Sequence, residues 1–421
     1  MKFINSLRGT RDILPTEMKY WHLVEEKAHF LLTNANYTEI RTPILEHELL
    51  FARGVGEETD IVNKEMYSFE DQGGRHVTLR PEGTAGISRS FIENKLYTDK
   101  PSHKFWYIGP MFRYERPQSG RQRQFHQLGI EYLGIKDPLI DAEVIKLAHN
   151  FLTNLGITDF IVEINNIGNK LDRHKYEQKL RKYLQKYESK LDSDSQKRLT
   201  KNPLRILDSK NPQTQQIIKQ APILLDYINP KSKHHFQTVC TYLNALNIPY
   251  KINYQLVRGL DYYSDTAFEF KTHLLGGQDT ICGGGRYDNL IEQLGGPYTP
   301  AIGWAIGIER LMILLKQKVD IEQKHVECYI VSDNSIRCKL ESLIMFNQLL
   351  NQDIKVHIDS TTSTLRKKIK RAYKVKSKYC LIIGEEEIAE QKITLKDLVN
   401  NKNAKIDRNS LLINDLNTLF H

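Results

Sequence analysis

Apolar residues recur at Trp21, Val24, Ala28, Leu31 and Leu32. That is the three-and-four spacing of one helix face, so an amphipathic helix is predicted over residues 17–33, just after Pro15. The chain then turns extended through Glu39-Ile40-Arg41-Thr42-Pro43, where the proline biases its neighbour away from helix. Residues 104–108 and 126–133 read as two strands joined by an arginine-rich loop, an antiparallel hairpin with a functional connection. Residues 171–232 differ in character. They are highly charged, lack glycine and place Leu180, Tyr183, Leu184 and Tyr187 at helical spacing, which predicts a helical insertion. Strand-like sequence returns at 253–257 and 267–271, followed by Gly283-Gly284-Gly285 and the apolar segment 301–315. All of these are expected to share one mixed sheet with the earlier strands. Beyond about residue 324 short apolar strands appear at 328–331, 355–358, 379–383 and 392–395, with helical patterns between the first three. The expected division is therefore a larger domain, 1–324, and a separate α/β domain, 325–421.

With 421 residues, 40% of them hydrophobic and 26% charged, the chain can build two or three real cores and is neither disordered nor fibrous. Sixty Lys+Arg against fifty-one Asp+Glu give a formal charge of +9, which favours a polyanionic partner. The five cysteines, Cys240, Cys282, Cys328, Cys338 and Cys380, form no CxxC pair and no zinc-ligand spacing, so no metal-binding residue is nominated. Their odd number argues against a disulfide framework and for a reducing cytosol. Residues 1–15 carry no apolar signal core, and the most apolar stretch, 301–315, is short and broken by Glu309 and Arg310. A cytoplasmic protein with no membrane partner is expected.

Candidate chemistry begins in the hairpin loop. Arg113, Arg116, Arg121 and Arg123 fall within eleven residues, with aromatics at both ends. Guanidinium forks bind phosphate oxygens bidentately and a ring can stack on a base, so a phosphate-bearing aromatic ligand suits the segment; a solvated basic hairpin has the same pattern. Arg310 follows Gly303, Ala305 and Gly307, small residues that allow close backbone approach on an apolar element. An arginine there costs desolvation unless an anion, or a structural carboxylate, meets it. Between residues 366 and 378 eight Lys/Arg occur with no acidic residue, while Leu365, Ile369 and Ala372 mark the opposite helix face. Such a helix can follow a phosphate backbone or simply be solvated. The glycine cluster at 283–285 is no P-loop, since no Gly-Lys-Ser/Thr follows, and a turn is its plain reading.

These residues also carry a resemblance. Phe112-Arg113 with Arg123-Gln124-Phe125 resembles the second signature motif of class II aminoacyl-tRNA synthetases, and residues 303–311 resemble the third. Arg80-Pro81-Glu82-Gly83-Thr84, Arg258-Gly259-Leu260-Asp261-Tyr262-Tyr263, Gly283-Gly284-Gly285-Arg286-Tyr287-Asp288 and Arg8-Gly9-Thr10-Arg11-Asp12 are similar to segments of the histidyl-tRNA synthetases, over essentially the whole chain. The resemblance implies an α+β fold: an antiparallel class II sheet of six or seven strands flanked by helices, a helical insertion, and a C-terminal α/β anticodon-binding domain. It implies activation of L-histidine with ATP and Mg²⁺, then transfer to the 3′ end of tRNA(His). A homodimer is implied too, with the first helix and the 39–43 strand resembling the interface motif.

Carried over residue by residue, Arg113 binds the α-phosphate, Phe125 stacks on adenine, Arg121 joins the ATP site and Arg310 holds the terminal phosphates. Arg258 stands with Arg113 as a catalytic residue, between the histidine carboxylate and the α-phosphate. Attack of one anion on another asks for fixed positive charge that strengthens in the transition state. Glu82, Thr84 and Gln127 meet the α-ammonium, Glu131 and Tyr263 bracket the imidazole, and Gly83, Tyr262 and Tyr287 complete the histidine site. A pocket built on such hydrogen bonds rejects apolar analogues by roughly 10⁴ or more, so no editing domain is required. Gln118 and Arg123 are implied at the acceptor end, and Lys367, Lys370 and Lys374 lie on the basic helix of the domain that reads the anticodon. Taken singly, Tyr262 and Tyr287 also read as core tyrosines and Glu131 as an ion-pair partner. A non-catalytic paralogue would have lost Arg258 and the C-terminal domain; a synthetase for another amino acid leaves Tyr262-Tyr263 unexplained.

Overall fold

Pro15 sits in the first turn of helix α1 (Pro15–Asn34), where its missing N–H leaves no bond unmade. The predicted apolar face of this helix is the one that packs: Trp21, Val24, Ala28 and Leu32 are buried in the main core with Trp106 and Ile130. The computed structural model describes residues 3–56, 59–276, 279–321 and 326–408, in two compact units, 1–321 and 322–421.

The first unit contains strands β1 (Thr38–Glu39), β2 (Leu45–His47), β3 (Tyr67–Glu70), β4 (His76–Leu79), β5 (His103–Phe112), β6 (Gln124–Leu133), β7 (Ile161–Asn166), β8 (Tyr250–Ile252), β9 (Ser264–Lys271), β10 (Thr280–Arg286) and β11 (Ala301–Gly307). Eight of them form one sheet in the order β1-β5-β6-β11-β10-β9-β7-β8, and β2-β4-β3 make a small second sheet. The six central strands are antiparallel to one another. The short edge strands β1 and β8 run parallel to β5 and β7, so the sheet has eight strands and is mixed. The β5–β6 hairpin is longer than the sequence pattern indicates, ten residues a side.

One predicted strand, 253–257, is a loop. Asn253 Oδ1 accepts from Gln255 N at 3.0 Å and Asn253 O accepts from Leu256 N at 3.0 Å, so the chain turns where apolar alternation suggested extension. The pairing strand, β8, lies just upstream.

Helix α2 (Glu48–Val55) precedes β3; α3 (Thr84–Glu93) and α4 (Pro138–Asn154) follow β4 and β6. The insertion is helical, with α5 (Lys170–Gln185), α6 (Ser193–Lys201) and α7 (Pro212–Ile218) capped by Asn169, Asp192 and Asn211. Its Leu180, Leu184, Leu199 and Ile206 share one apolar cluster with Tyr262, Tyr263 and Tyr287. Helix α8 (Pro230–Ala245) starts inside the predicted insertion but continues past it, burying Phe236, Val239 and Leu243 in the main core. Helices α9 (Leu290–Gln293) and α10 (Ile308–Lys318) flank β11 in sequence.

In the second unit, β12 (Cys328–Ser332), β13 (Val356–Ile358), β14 (Tyr379–Ile383), β15 (Lys392–Asp397) and β16 (Lys402–Asp407) form a sheet ordered β13-β12-β14-β15-β16. Strand β16 was not predicted. Helices α11 (Ile336–Leu350) and α12 (Leu365–Lys374) fill the crossovers, and α13 (Glu385–Ala389) follows β14. Helix α12 is the predicted basic helix, with Lys367, Lys370 and Lys374 exposed. Two of its cations face inward instead. Lys368 is fully buried and donates to Ser332 O at 2.8 Å, and Arg371 pairs with Asp359 at 2.7 Å. Among the described residues no helix is long and apolar enough to cross a membrane.

Candidate active site

A cavity of about 600 Å³ opens on the large sheet, lined from α3, β6, β10, β11, the arginine loop and the insertion. Part of its floor is bare backbone. A Cβ on Gly303 would stand 2.0 Å from Glu131 Oε2, and one on Gly283 would stand 2.4 Å from Arg258 Nη2. The glycine cluster is thus mid-strand in β10, not a turn, because functional side chains lie across it.

At one end sit two buried carboxylates. Glu82 accepts the backbone N–H groups of Thr84 (2.8 Å) and Ala85 (2.7 Å) at the start of α3, where the helix dipole favours negative charge. Burial nonetheless pushes Glu82 up. Glu131 accepts from Thr84 Oγ1 at 2.7 Å and from the Tyr287 hydroxyl. Burial drives it to about 8, aided by the charge of Glu82 and opposed by those two donors. Gln127 Oε1 is buried and accepts no hydrogen bond among the described residues, leaving an acceptor facing the cavity. Tyr262 reaches Glu82 at 3.5 Å, and its ring lies 4.7 Å from Tyr263 and 5.5 Å from Tyr287.

The other end is cationic. Arg113 Nε donates to Pro81 O at 2.8 Å, and its guanidinium lies 5.3 Å from the Phe125 ring centre. Arg121 pairs with Glu115 at 3.0 Å, and Arg113 reaches the same carboxylate at 3.9 Å. Arg310 donates to Gly120 O at 3.3 Å and Thr280 O at 2.8 Å. Burial, then the charges of Arg121 and Arg113, pull Arg310 down, despite Glu115. Three guanidiniums around one carboxylate favour a polyanion. Between the two ends, Arg258 pairs with Glu269 and lies 5.3 Å from the centre of the Tyr263 ring.

Most nominated residues therefore converge: Glu82, Thr84, Arg113, Arg121, Phe125, Gln127, Glu131, Arg258, Tyr262, Tyr263, Tyr287 and Arg310 all line the cavity. Gly83 does not. It packs beneath, where a Cβ would lie 2.4 Å from the Tyr107 ring. Gln118 and Arg123 also lie off the cavity wall: Gln118 is exposed, and Arg123 stacks 3.7 Å over the Tyr114 ring while its N–H donates to Gly9 O at 2.7 Å. Lys367, Lys370 and Lys374 belong to the second unit.

Sequence reasoning missed Tyr107, wedged between Gly83 and Gly129, and Glu269. It also missed the insertion residues Leu207, Asp208, Ser209, Lys210 and Gln215, which form part of the wall. Among the described residues no three metal-binding side chains cluster. A magnesium ion held mainly by phosphate oxygens and waters needs only one or two protein oxygens. Glu269 and the Thr280 hydroxyl, 3.2 Å apart beside Arg258, fit that need.

A family model described as Histidyl-tRNA synthetase matches residues 9–311, and one described as Anticodon binding domain matches residues 329–413. The chain is 52% identical to "Histidine--tRNA ligase, chloroplastic" of Porphyra purpurea, covering 94% of this chain and 92% of that one. It is 50% identical to "Histidine--tRNA ligase" of Cyanothece sp., over 98% and 96%. The crystal structure of apo S. aureus histidyl-tRNA synthetase superposes with a TM-score of 0.80 at 34% identity, over 97% of this chain and 98% of that one. A cavity with buried carboxylates at one end and guanidiniums at the other, on a sheet shared with that structure, agrees with the sequence matches: the chain belongs to the histidyl-tRNA synthetase family.

Proposed function

We propose that this chain is a histidine–tRNA ligase, which activates L-histidine with ATP and then esterifies it to the 3′ end of tRNA(His). The observation that carries this reading is the position of Arg258. It lies between a cavity end suited to an imidazole and an α-ammonium and an end suited to phosphates. In the first step a histidine carboxylate oxygen forms a bond to the α-phosphorus and the bond to pyrophosphate breaks. Arg258 and Arg113 offset the charge that gathers there. In the second, a terminal ribose hydroxyl of tRNA attacks the adenylate carbonyl and AMP leaves.

Glu82, Thr84 and Gln127 hold the α-ammonium. Glu131 and Tyr263 read the two ring nitrogens, with Tyr287 holding Glu131 and Tyr262 holding Glu82. Phe125 stacks on adenine, and Arg121 and Arg310 take the outer phosphates. Mg²⁺, held at Glu269 and Thr280, would screen those phosphates. Gln118 and Arg123 serve the acceptor end from outside the cavity, and Lys367, Lys370 and Lys374 serve the tRNA backbone from the second unit.

The first helix, the extended 39–43 segment and the exposed apolar residues Phe3, Ile4, Leu7 and Leu14 support a homodimer. A 49.0 kDa species by light scattering of active enzyme would overturn that. All five cysteines are free, which suits a reducing compartment; our reading is the cytoplasm, and finding the native protein in an organelle fraction would correct it.

The activity is tested by pyrophosphate exchange into ATP with each of the twenty amino acids and no tRNA. Histidine alone should support exchange. Exchange with threonine, proline or glycine in its place would overturn the reading.

A further inference from the structure

The helical insertion touches the reaction centre through backbone carbonyls of the loop that carries Arg258. We propose that Arg205, in the 3-10 turn Pro203–Asp208 of the insertion, is a positioning residue for amino-acid activation that fixes this loop. The proposal rests on the reading of Arg258 as the transition-state stabiliser. Arg205 Nη2 donates to Gly259 O at 2.6 Å, one residue from Arg258. Its Nη1 stands 3.4 Å from Asp60 Oδ2, and the side chain is only 17% exposed. Both prongs of the guanidinium fork are therefore engaged, one by a carbonyl and one by a carboxylate.

The loop itself has no strand pairing over residues 253–263. Its other ties lie on both sides of Gly259: Asn165 Nδ2 donates to Leu256 O at 3.0 Å and Arg258 pairs with Glu269, while Arg173 Nη1 approaches Asp261 O at 3.4 Å and Asp261 N donates to Val55 O at 3.1 Å. Gly259 is thus held from the insertion side by Arg205. Oriented charge stabilisation tolerates displacements of only about 0.5 Å, so a loop released at Gly259 misplaces Arg258. Of the histidine ligands, Glu82, Thr84, Gln127 and Glu131 lie off this loop, and Tyr263 is its last residue, buried where the loop enters β9. The effect therefore belongs mainly on kcat, with a smaller one on histidine KM.

The test is a set of pyrophosphate-exchange measurements on the full chain: wild type, Arg205→Ala, Arg258→Ala, the double variant, Arg205→Lys and Asp60→Asn. Arg205→Ala should lower kcat roughly tenfold, the scale of one charge-assisted hydrogen bond, with histidine KM within about twofold of wild type. Arg205→Lys should recover part of the loss, and Asp60→Asn should show a smaller loss of the same kind. In the Arg258→Ala background, Arg205→Ala should add nothing further. Normal kcat in Arg205→Ala, a loss confined to KM, or equal losses in both backgrounds would each overturn the positioning role. Near-normal kcat in Arg258→Ala would instead overturn the reading of Arg258. Asp60→Asn loosens the fork while leaving the Gly259 bond in place, so it carries the same split of kcat and KM should Arg205→Ala fold poorly.

Discussion

The Arg258 guanidinium meets Glu269, the Tyr263 ring and the bare backbone of Gly283, so its fork is aimed before substrate arrives. Arg258→Ala should lower kcat for adenylation by roughly 10²-fold or more, with a smaller change in histidine KM. Arg258→Lys should restore only part, because a point charge does not bridge two oxygens; near-normal kcat in the alanine variant ends the assignment. Glu131 gives a second residue-scale prediction. Burial pushes its carboxyl up to about 8, whereas a free imidazole titrates at about 6.5. Between those values a protonated carboxyl receives a neutral ring, and the one shared proton is already present. Below about 6.5 the ring brings a second proton that must leave, and above about 8 the carboxyl has lost the shared one. Histidine Kd by calorimetry should therefore be lowest and flat between those limits and rise on both sides; a Kd that keeps falling through about pH 9 removes Glu131 from the imidazole. Arg113 was legible in the sequence because four arginines crowd one hairpin loop, whereas Glu131 and Tyr263 were nominated only through the family resemblance. Glu269 was not, since it reads as ordinary alternation in a strand, and its partners Arg258 and Thr280 are brought to it only by the sheet.

Strands β10 and β11 show what an element contributes that no single residue announces. Gly303 pairs with Glu131 on β6 and with Gly285 on β10, so its missing Cβ is what admits the Glu131 carboxylate. Gly303→Ala should raise histidine KM by roughly tenfold or more and cost about 1–3 kcal/mol of stability, as overpacking does. Histidine KM unchanged in a folded Gly303→Ala enzyme would falsify this account of the floor. Long periodic elements, α1 and the β5–β6 hairpin among them, were visible in the sequence. The edge strands β8 and β16, and the small sheet, were too short or too weakly patterned to show, and of the extended 39–43 segment only Glu39 falls in a strand, β1. Gly283-Gly284-Gly285 left a turn open beside the sheet reading, because glycine usually signals a turn and here marks a close approach of side chains.

Across the whole chain, the change of strand rhythm near residue 324 separated two folding patterns, and the charge of +9 pointed to a polyanion. The count of cations available to that polyanion needed coordinates: Lys368 and Arg371 face their own domain. The triple variant Lys367→Glu, Lys370→Glu and Lys374→Glu should raise KM for tRNA and flatten its salt dependence by roughly 0.7–0.9 in log K per log salt for each lost contact. Exchange activity without tRNA should be unchanged; a normal tRNA KM and salt slope would make α12 a solvated surface. The apolar cluster that joins Leu180, Leu184 and Leu199 of the insertion to Tyr262, Tyr263 and Tyr287 has a further consequence. Because these described residues share one apolar cluster, insertion and pocket are packed as one unit, and amide exchange in α5 should slow when histidine binds, although none of the nominated histidine ligands lies in it. An insertion grafted onto another sheet would arrive without part of its own core.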